Sequence, residues 1–190
     1  MVVILFEMRY DSAIERAQVN QRMYQQQYWT EMQDLRAHAY YLELYQQKSE
    51  RIETGIGIFL ALTSSASIGA WAVWNQASML WAGIIALSQV VSVVYKFLPF
   101  KARIKPLGAA SIELFSLADE AEKGWHSVAE GLITEGQIHD KRFQIRQKKS
   151  AIMKASFSSI SLPENQDLML LAERKMKTYF NNFYCGGDDE

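Results

Sequence analysis

From Thr54 to Tyr95 the chain contains no Asp, Glu, Lys, Arg or His. All of its charge sits in the flanks, so the whole-chain averages of 49% hydrophobic residues and net charge -1 describe neither part. A helix rises about 1.5 Å per residue, so about 20 apolar residues cross the roughly 30 Å hydrocarbon layer of a bilayer. The uncharged stretch is about twice that length. It is interrupted once, inside WAVWNQASMLWAG at residues 71–83. Turns favour Asn and small residues, so Asn75 to Ala77 predict the tip of a tight antiparallel turn. The expected architecture is an all-α membrane protein. A two-transmembrane helical hairpin occupies residues 54–98, with spans 55–74 and 78–98. A cytoplasmic helical bundle is formed by the N-terminal region, 1–53, and the C-terminal region, 99–190.

Charge asymmetry orients the hairpin. The tip carries no Lys or Arg, whereas Lys48 and Arg51 precede the first span and Lys96, Lys101, Arg103 and Lys105 follow the second. Basic residues stay on the cytoplasmic side, which puts both termini there. Trp71, Trp74 and Trp81 then mark the outer membrane–water boundary, where indole is half apolar and half hydrogen-bonding. Tyr95, Phe97 and Phe100 suit the inner boundary. Pro99 and Pro106 are expected to end the second helix and redirect the chain. The basic residues beside the lipid would attract anionic headgroups.

Lipid offers no hydrophobic drive for helices to associate, so small and polar residues must supply the contacts. Gly57, Ala61, Ser65 and Gly69 recur every fourth position in the first span, with Gly83 and Ala86 in the second. That spacing makes a face another backbone can approach. Thr63, Ser64 and Ser67 point elsewhere on the first helix, and Ser88, Gln89 and Ser92 share an arc of the second. One reading has these six residues lining a water path in an oligomer, since a single helix pair cannot enclose one. The other has the hydroxyls bonded to their own helix carbonyls and Gln89 bonded across the hairpin.

The flanks read as amphipathic helices. Ser12 and Glu15 fit a capping box that starts a helix. Ile14, Ala17, Tyr24, Tyr28, Met32, Leu35, Ala39, Leu42 and Tyr45 follow at a repeat near 3.5, a stripe able to pack on a partner helix and to continue into the first span. Val2 to Phe6 lacks the length and the preceding basic residue of a secretory signal, so a short strand or an apolar cap is expected there. After the hairpin, Leu114, Ala118, Ala121, Trp125, Val128 and Leu132 repeat the pattern. Gly131 and Gly136 loosen the chain before a helix bearing Ile138, Ile145 and Ile152. A last helix carries Leu168, Leu171, Ala172, Met176, Tyr179 and Phe183, with Ser161 as its cap and Pro163 in its first turn.

The basic run Lys141, Arg142, Arg146, Lys148, Lys149 and Lys154 faces Asp140 alone on its own helix. Without an aromatic platform beyond Phe143 or any RNA- or DNA-binding motif around it, it reads as a solvated face, a partner surface or a lipid contact before it reads as a nucleic-acid site. His38, His126 and His139 have no partners at metal-ligand spacing, and the single cysteine, Cys185, excludes an intramolecular disulfide. No nucleophile elbow, zinc helix or phosphate loop is present, so no enzyme, cofactor or metal is expected.

The layout of Trp29 to Leu44 ahead of the hairpin and Thr54 to Phe97 across it resembles the SLATT domain proteins, a bacterial family of small two-transmembrane effectors. The helices after Gly108 extend the likeness over most of the chain. The resemblance implies a homo-oligomer in the bacterial inner membrane that opens a pore when an antiviral defence system triggers it. It also implies a regulatory protein or nucleoprotein partner that holds it silent. Two alternatives come from the residues themselves. One is a membrane-anchored helical adaptor for a soluble partner, without pore activity. The other is a soluble bundle that hides the hairpin.

Overall fold

The computed structural model describes the backbone of residues 2–73, 78–97, 100–158 and 162–186. Within these, the side chains of 2–18, 65–73, 78, 81, 96, 100 and 101 fall outside the described set. The elements run α1 (Val2–Val73), α2 (Ser78–Phe97), α3 (Phe100–Ala129), α4 (Glu135–Phe157) and α5 (Gln166–Tyr184), with no strand among the described residues. The chain divides into two compact units. One combines Met1–Leu42 with Ala109–Glu190, and the other is Glu43–Gly108.

In the first unit the apolar stripe of α1 forms the core's central seam. Tyr28, Met32, Leu35, Ala39 and Leu42 are all buried. Buried in the same unit are Ala110, Leu114, Leu117, Ala118, Ala121 and Val128 of α3, Ile138 and Ile145 of α4, and Ala172, Met176 and Phe180 of α5. The spacings 28–32–35–39–42 alternate three and four residues, which keeps one face turned to the partners. At one end an aromatic cluster closes the seam. Trp29 lies 5.0 Å from Trp125, 5.1 Å from Phe180 and 5.0 Å from Tyr184, centroid to centroid. Tilted and edge-on ring pairs at such distances add about 0.5–1.5 kcal/mol each beyond area burial.

The helix ends are set by local chemistry. Gly131 has φ +65, and its N–H bonds Val128 O while Leu132 N–H reaches back to Ser127 O. This is a Schellman ending, in which the left-handed residue costs a glycine nothing. Thr134 and Gln137 then cap α4 reciprocally, side chain to backbone N–H in both directions. Gly136 is absorbed into that first turn. Asn165 caps α5 through Leu168 N–H.

Several expectations need correction. Helix α1 starts at Val2, so Ser12 lies in its interior and caps nothing, and Val2 to Phe6 is neither strand nor separate cap. No Pro or Gly stands between Val2 and Thr54 to stop the helix running back through good helix formers such as Leu5, Glu7 and Met8. Pro106 sits inside α3 and neither ends a helix nor redirects the chain. It forfeits the bond its N–H would have made to the Ala102 carbonyl, at about 3 kcal/mol, which burial of the neighbouring Leu107 partly offsets. Pro99 lies outside the described residues. Pro163 precedes α5 because the stronger Asn165 cap sets the start later; Ser161 is outside the described residues.

In the second unit α1 continues through Gly55 and Gly57 to Val73 and is joined by α2. Tyr95 Oη donates to Glu53 Oε1 at 3.4 Å, tying the base of α2 to α1. Among the described residues no helix is long and apolar enough to cross a membrane. The side chains at 65–73 and 78, in the middle of the uncharged stretch, are not among them. The length of that stretch is therefore a property of the sequence.

Truncating the α1 seam tests the core directly. Leu35→Ala should lower the unfolding free energy of the first unit by about 2–5 kcal/mol, read by urea titration of the detergent-solubilised chain. A leucine on a merely solvated stripe would lose almost nothing.

Candidate functional site

Five of the six residues picked as a polar lining, Thr63, Ser64, Ser88, Gln89 and Ser92, lie around one groove, and the side chain of the sixth, Ser67, falls outside the described set. A groove of about 410 Å³ between α1 and α2 is lined by Leu60, Ala61, Thr63, Ser64, Ile85, Ser88, Gln89 and Ser92. Residues 85, 88, 89 and 92 lie three, four and seven apart and so share one face of α2. Ser88 is buried, Thr63 and Ser92 are half-buried, and Ser64 and Gln89 are exposed. Three of the hydroxyls bond within their own helices. Thr63 Oγ1 donates to Phe59 O at 3.0 Å, Ser64 Oγ to Ala61 O at 2.9 Å, and Ser88 Oγ to Ile85 O at 2.8 Å. Each hydroxyl thereby spends its proton inward and keeps its oxygen lone pairs for the groove. No hydrogen bond from the Gln89 amide across the hairpin occurs among the described residues. The lining named here is uncharged, with no acid or base among its described residues, and its hydroxyls and amide can hold water.

Among the other singled-out residues, Gly57 and Gly83 have open space: among the described residues, no atom comes within 4 Å of where a Cβ would stand at either. Ala61 and Ala86 are exposed as well. Arg103 is half-buried, its Nε without a partner, and Lys105 is exposed. The backbones of Ser65, Ser67, Gly69, Trp71, Trp81 and Lys96 lie in α1 or α2 and that of Lys101 in α3, but their side chains fall outside the described set; Trp74 lies wholly outside it. No group of three or more His, Cys, Asp or Glu able to hold a metal occurs among the described residues.

The basic run on α4 is mostly engaged inside its own unit. Arg142 donates to Gln27 Oε1, Arg146 Nε to Glu31 Oε2 at 2.7 Å, and Lys148 Nζ to Glu120 at 2.6 Å. Lys149 Nζ lies 3.3 Å from His38 Nδ1, and burial pulls its ammonium below the ordinary lysine value.

One charged group escaped the sequence reading. Arg36 is 5% exposed, and its Nη2 donates to Asp119 Oδ1 at 2.8 Å, Glu122 Oε2 at 2.6 Å and Tyr179 Oη at 3.1 Å. Its guanidinium also sits 4.1 Å from the Tyr179 ring centroid. Tyr184 Oη donates to Glu122 at 3.0 Å; burial, then this bond, pushes its phenol up to about 12. The clue was available: Arg36 follows Met32 by four and precedes Ala39 by three, so a cation lies on an apolar face and must find partners. Burial likewise raises Tyr28 to about 12, its hydroxyl donating to Ala121 O at 2.9 Å.

No family model matches the chain, and no curated protein or solved structure matches it.

Two outcomes follow from this chemistry. Tyr28 stays neutral in the folded state above pH 10, while an unfolded tyrosine ionises there. Its contribution is therefore complete below pH 10 and is lost as pH climbs towards 12. Tyr28→Phe should flatten that alkaline decline in a pH-dependent unfolding series and cost about 1 kcal/mol at neutral pH. Arg36→Leu, which leaves the largely buried Glu122 carboxylate without its cation while Asp119 stays solvated, should cost about 1–3 kcal/mol in the same assay.

Proposed function

We propose that the chain is a membrane effector that assembles with copies of itself and opens a water-filled path through the bilayer. The observation that carries this reading is the inverted polarity of α2. Met79, Leu80, Leu87, Val90, Val94 and Phe97 fall on one face and are exposed, Met79 at 90% and Phe97 at 81%. Ile85, Ser88, Gln89 and Ser92 fall on the opposite face and turn towards α1. A helix on a water-soluble protein does the reverse, hiding the apolar stripe and wetting the polar one. Exposed Ile58 and Leu62 extend the apolar exterior onto α1. A contiguous apolar surface of this kind calls for a membrane or a partner. The uncharged length of the sequence favours the membrane.

One helix pair cannot surround water. Several pairs around an axis could, each contributing the Thr63–Ser92 groove as its wet side, and the glycine and alanine faces would let neighbouring hairpins approach. The unit built from both chain ends would then serve as the gate and as the docking place of a regulator. The assignment to antiviral defence, with a protein or nucleoprotein trigger, rests on the resemblance to the SLATT effectors.

A membrane-anchored adaptor is the second reading. It is favoured by a groove of about 420 Å³ in the first unit whose walls include Tyr41, Leu42, Met153, Met169 and Met176, a surface suited to a partner's apolar side chain.

Dye-loaded vesicles of phosphatidylethanolamine and phosphatidylglycerol separate the two. Reconstituted protein should release the dye. Gln89→Leu combined with Thr63→Val should slow release at least about tenfold, since an apolar lining dewets. Release that this double variant leaves intact, but that disrupting Leu35 and Leu42 abolishes, would refute the polar-lined path. Intact vesicles throughout would favour the adaptor.

A further inference from the structure

The basic run of α4 divides in two once folded. Ile138 and Ile145 point into the core and separate its flanks. On one flank Arg142, Arg146 and Lys149 meet α1, where Gln27, Glu31 and Asp34 answer them. On the other flank Lys141, Gln144 and Lys148 meet α3 around a cavity of about 310 Å³, to which α3 contributes Glu120, Lys123 and Ser127. Three ammonium groups there face one carboxylate, and that carboxylate is held by Lys148 at 2.6 and 2.7 Å. The cavity is left with an excess of two positive charges, in a concave site where field lines concentrate.

Its floor is rigid. Tyr28 closes it from α1, with its hydroxyl fixed on Ala121 O and its ring stacked on Trp125 at 6.1 Å between centroids. Gly124 permits this approach, because a Cβ there would stand 2.5 Å from Tyr28 Oη. The same position lies 3.9 Å from Lys141 Nζ, which places that ammonium over the floor.

We infer that this cavity binds a small anion bearing phosphate. Apart from the Glu120 carboxylate, already held by Lys148, the polar lining offers donors: three lysines, the Ser127 hydroxyl and the Gln144 amide. Lysine contacts phosphate as a point charge, with no need of the planar match that arginine gives a carboxylate. A phosphate group carries about two negative charges near neutral pH and three acceptor oxygens, which balances the excess. The volume lies at the lower end of small-molecule sites, about 300–1,000 Å³, so a diphosphate or a mononucleotide fits and a polymer does not. The cavity lies wholly within the first unit, and binding there does not depend on whether the hairpin conducts.

Calorimetric titration of the full chain in dodecyl maltoside with pyrophosphate tests this. Pyrophosphate should bind, more weakly as salt rises. Lys123→Gln with Lys141→Gln should weaken it at least about tenfold, while Lys154→Gln, on α4 but off the cavity, should leave it unchanged. Glu120→Gln should tighten it about two- to fivefold by releasing Lys148, a gain that misfolding cannot imitate. Displacement by ADP would assign the phosphate to a soluble nucleotide, and displacement by glycerol 3-phosphate to a lipid headgroup. The inference fails if pyrophosphate produces no heat, if Lys154→Gln weakens binding as much as the double variant, if Glu120→Gln does not tighten it, or if citrate binds equally well.

Discussion

Apolar surface that no other described residue covers is the constraint on which this molecule turns. Helix α2 has two faces, and the polar one is the one turned inward. Exposing the other to water would cost about 25 cal/mol for every Å². In the proposed membrane setting lipid would remove that cost and at the same time remove the hydrophobic drive that would pull the two hairpin helices together. What remains at their groove is hydroxyl and amide chemistry. Its protons are largely committed to helix carbonyls, and its lone pairs are free to hold water.

The unit formed by both chain ends obeys the opposite rule. Its seam is an ordinary aqueous core, with α1 supplying Tyr28 to Leu42 and three further helices closing on it. Into that core it draws a guanidinium. Arg36 is tolerated because Asp119, Glu122 and the face of Tyr179 share its charge. Such a cluster adds little net stability over an apolar replacement of the same shape. It does oblige α1, α3 and α5 to meet in one register, because any slip strands a charge. That suits a unit whose proposed task is to hold one arrangement until a partner changes it.

Periodicity made much of this legible. The stripe from Tyr28 to Leu42, the α3 positions Leu114 to Val128, and Ile138 with Ile145 were readable because three-and-four spacing leaves few ways to bury them. Five of the six proposed lining residues share one groove for the same reason; the side chain of the sixth, Ser67, lies outside the described residues. Boundaries were less legible. Ser12 resembled a cap but is overridden by helix formers upstream, and Pro106 is carried within α3. On α5 the choice of Tyr179 and Phe183 missed Phe180, which is 3% exposed, because the sequence offers aromatic residues at 179, 180, 183 and 184. The sorting of the α4 cations between α1 and α3 could not be read at all, since it depends on which helices flank α4.

The position of the two chain ends relative to the bilayer is the most direct check on the hairpin. Cys185 is exposed and is the chain's one thiol, which makes it a natural reporter. An impermeant maleimide applied to intact spheroplasts should leave Cys185 unlabelled and should label Asn75→Cys in a Cys185→Ser background. Labelling of Cys185 from outside, with the Asn75→Cys thiol protected, would contradict the account.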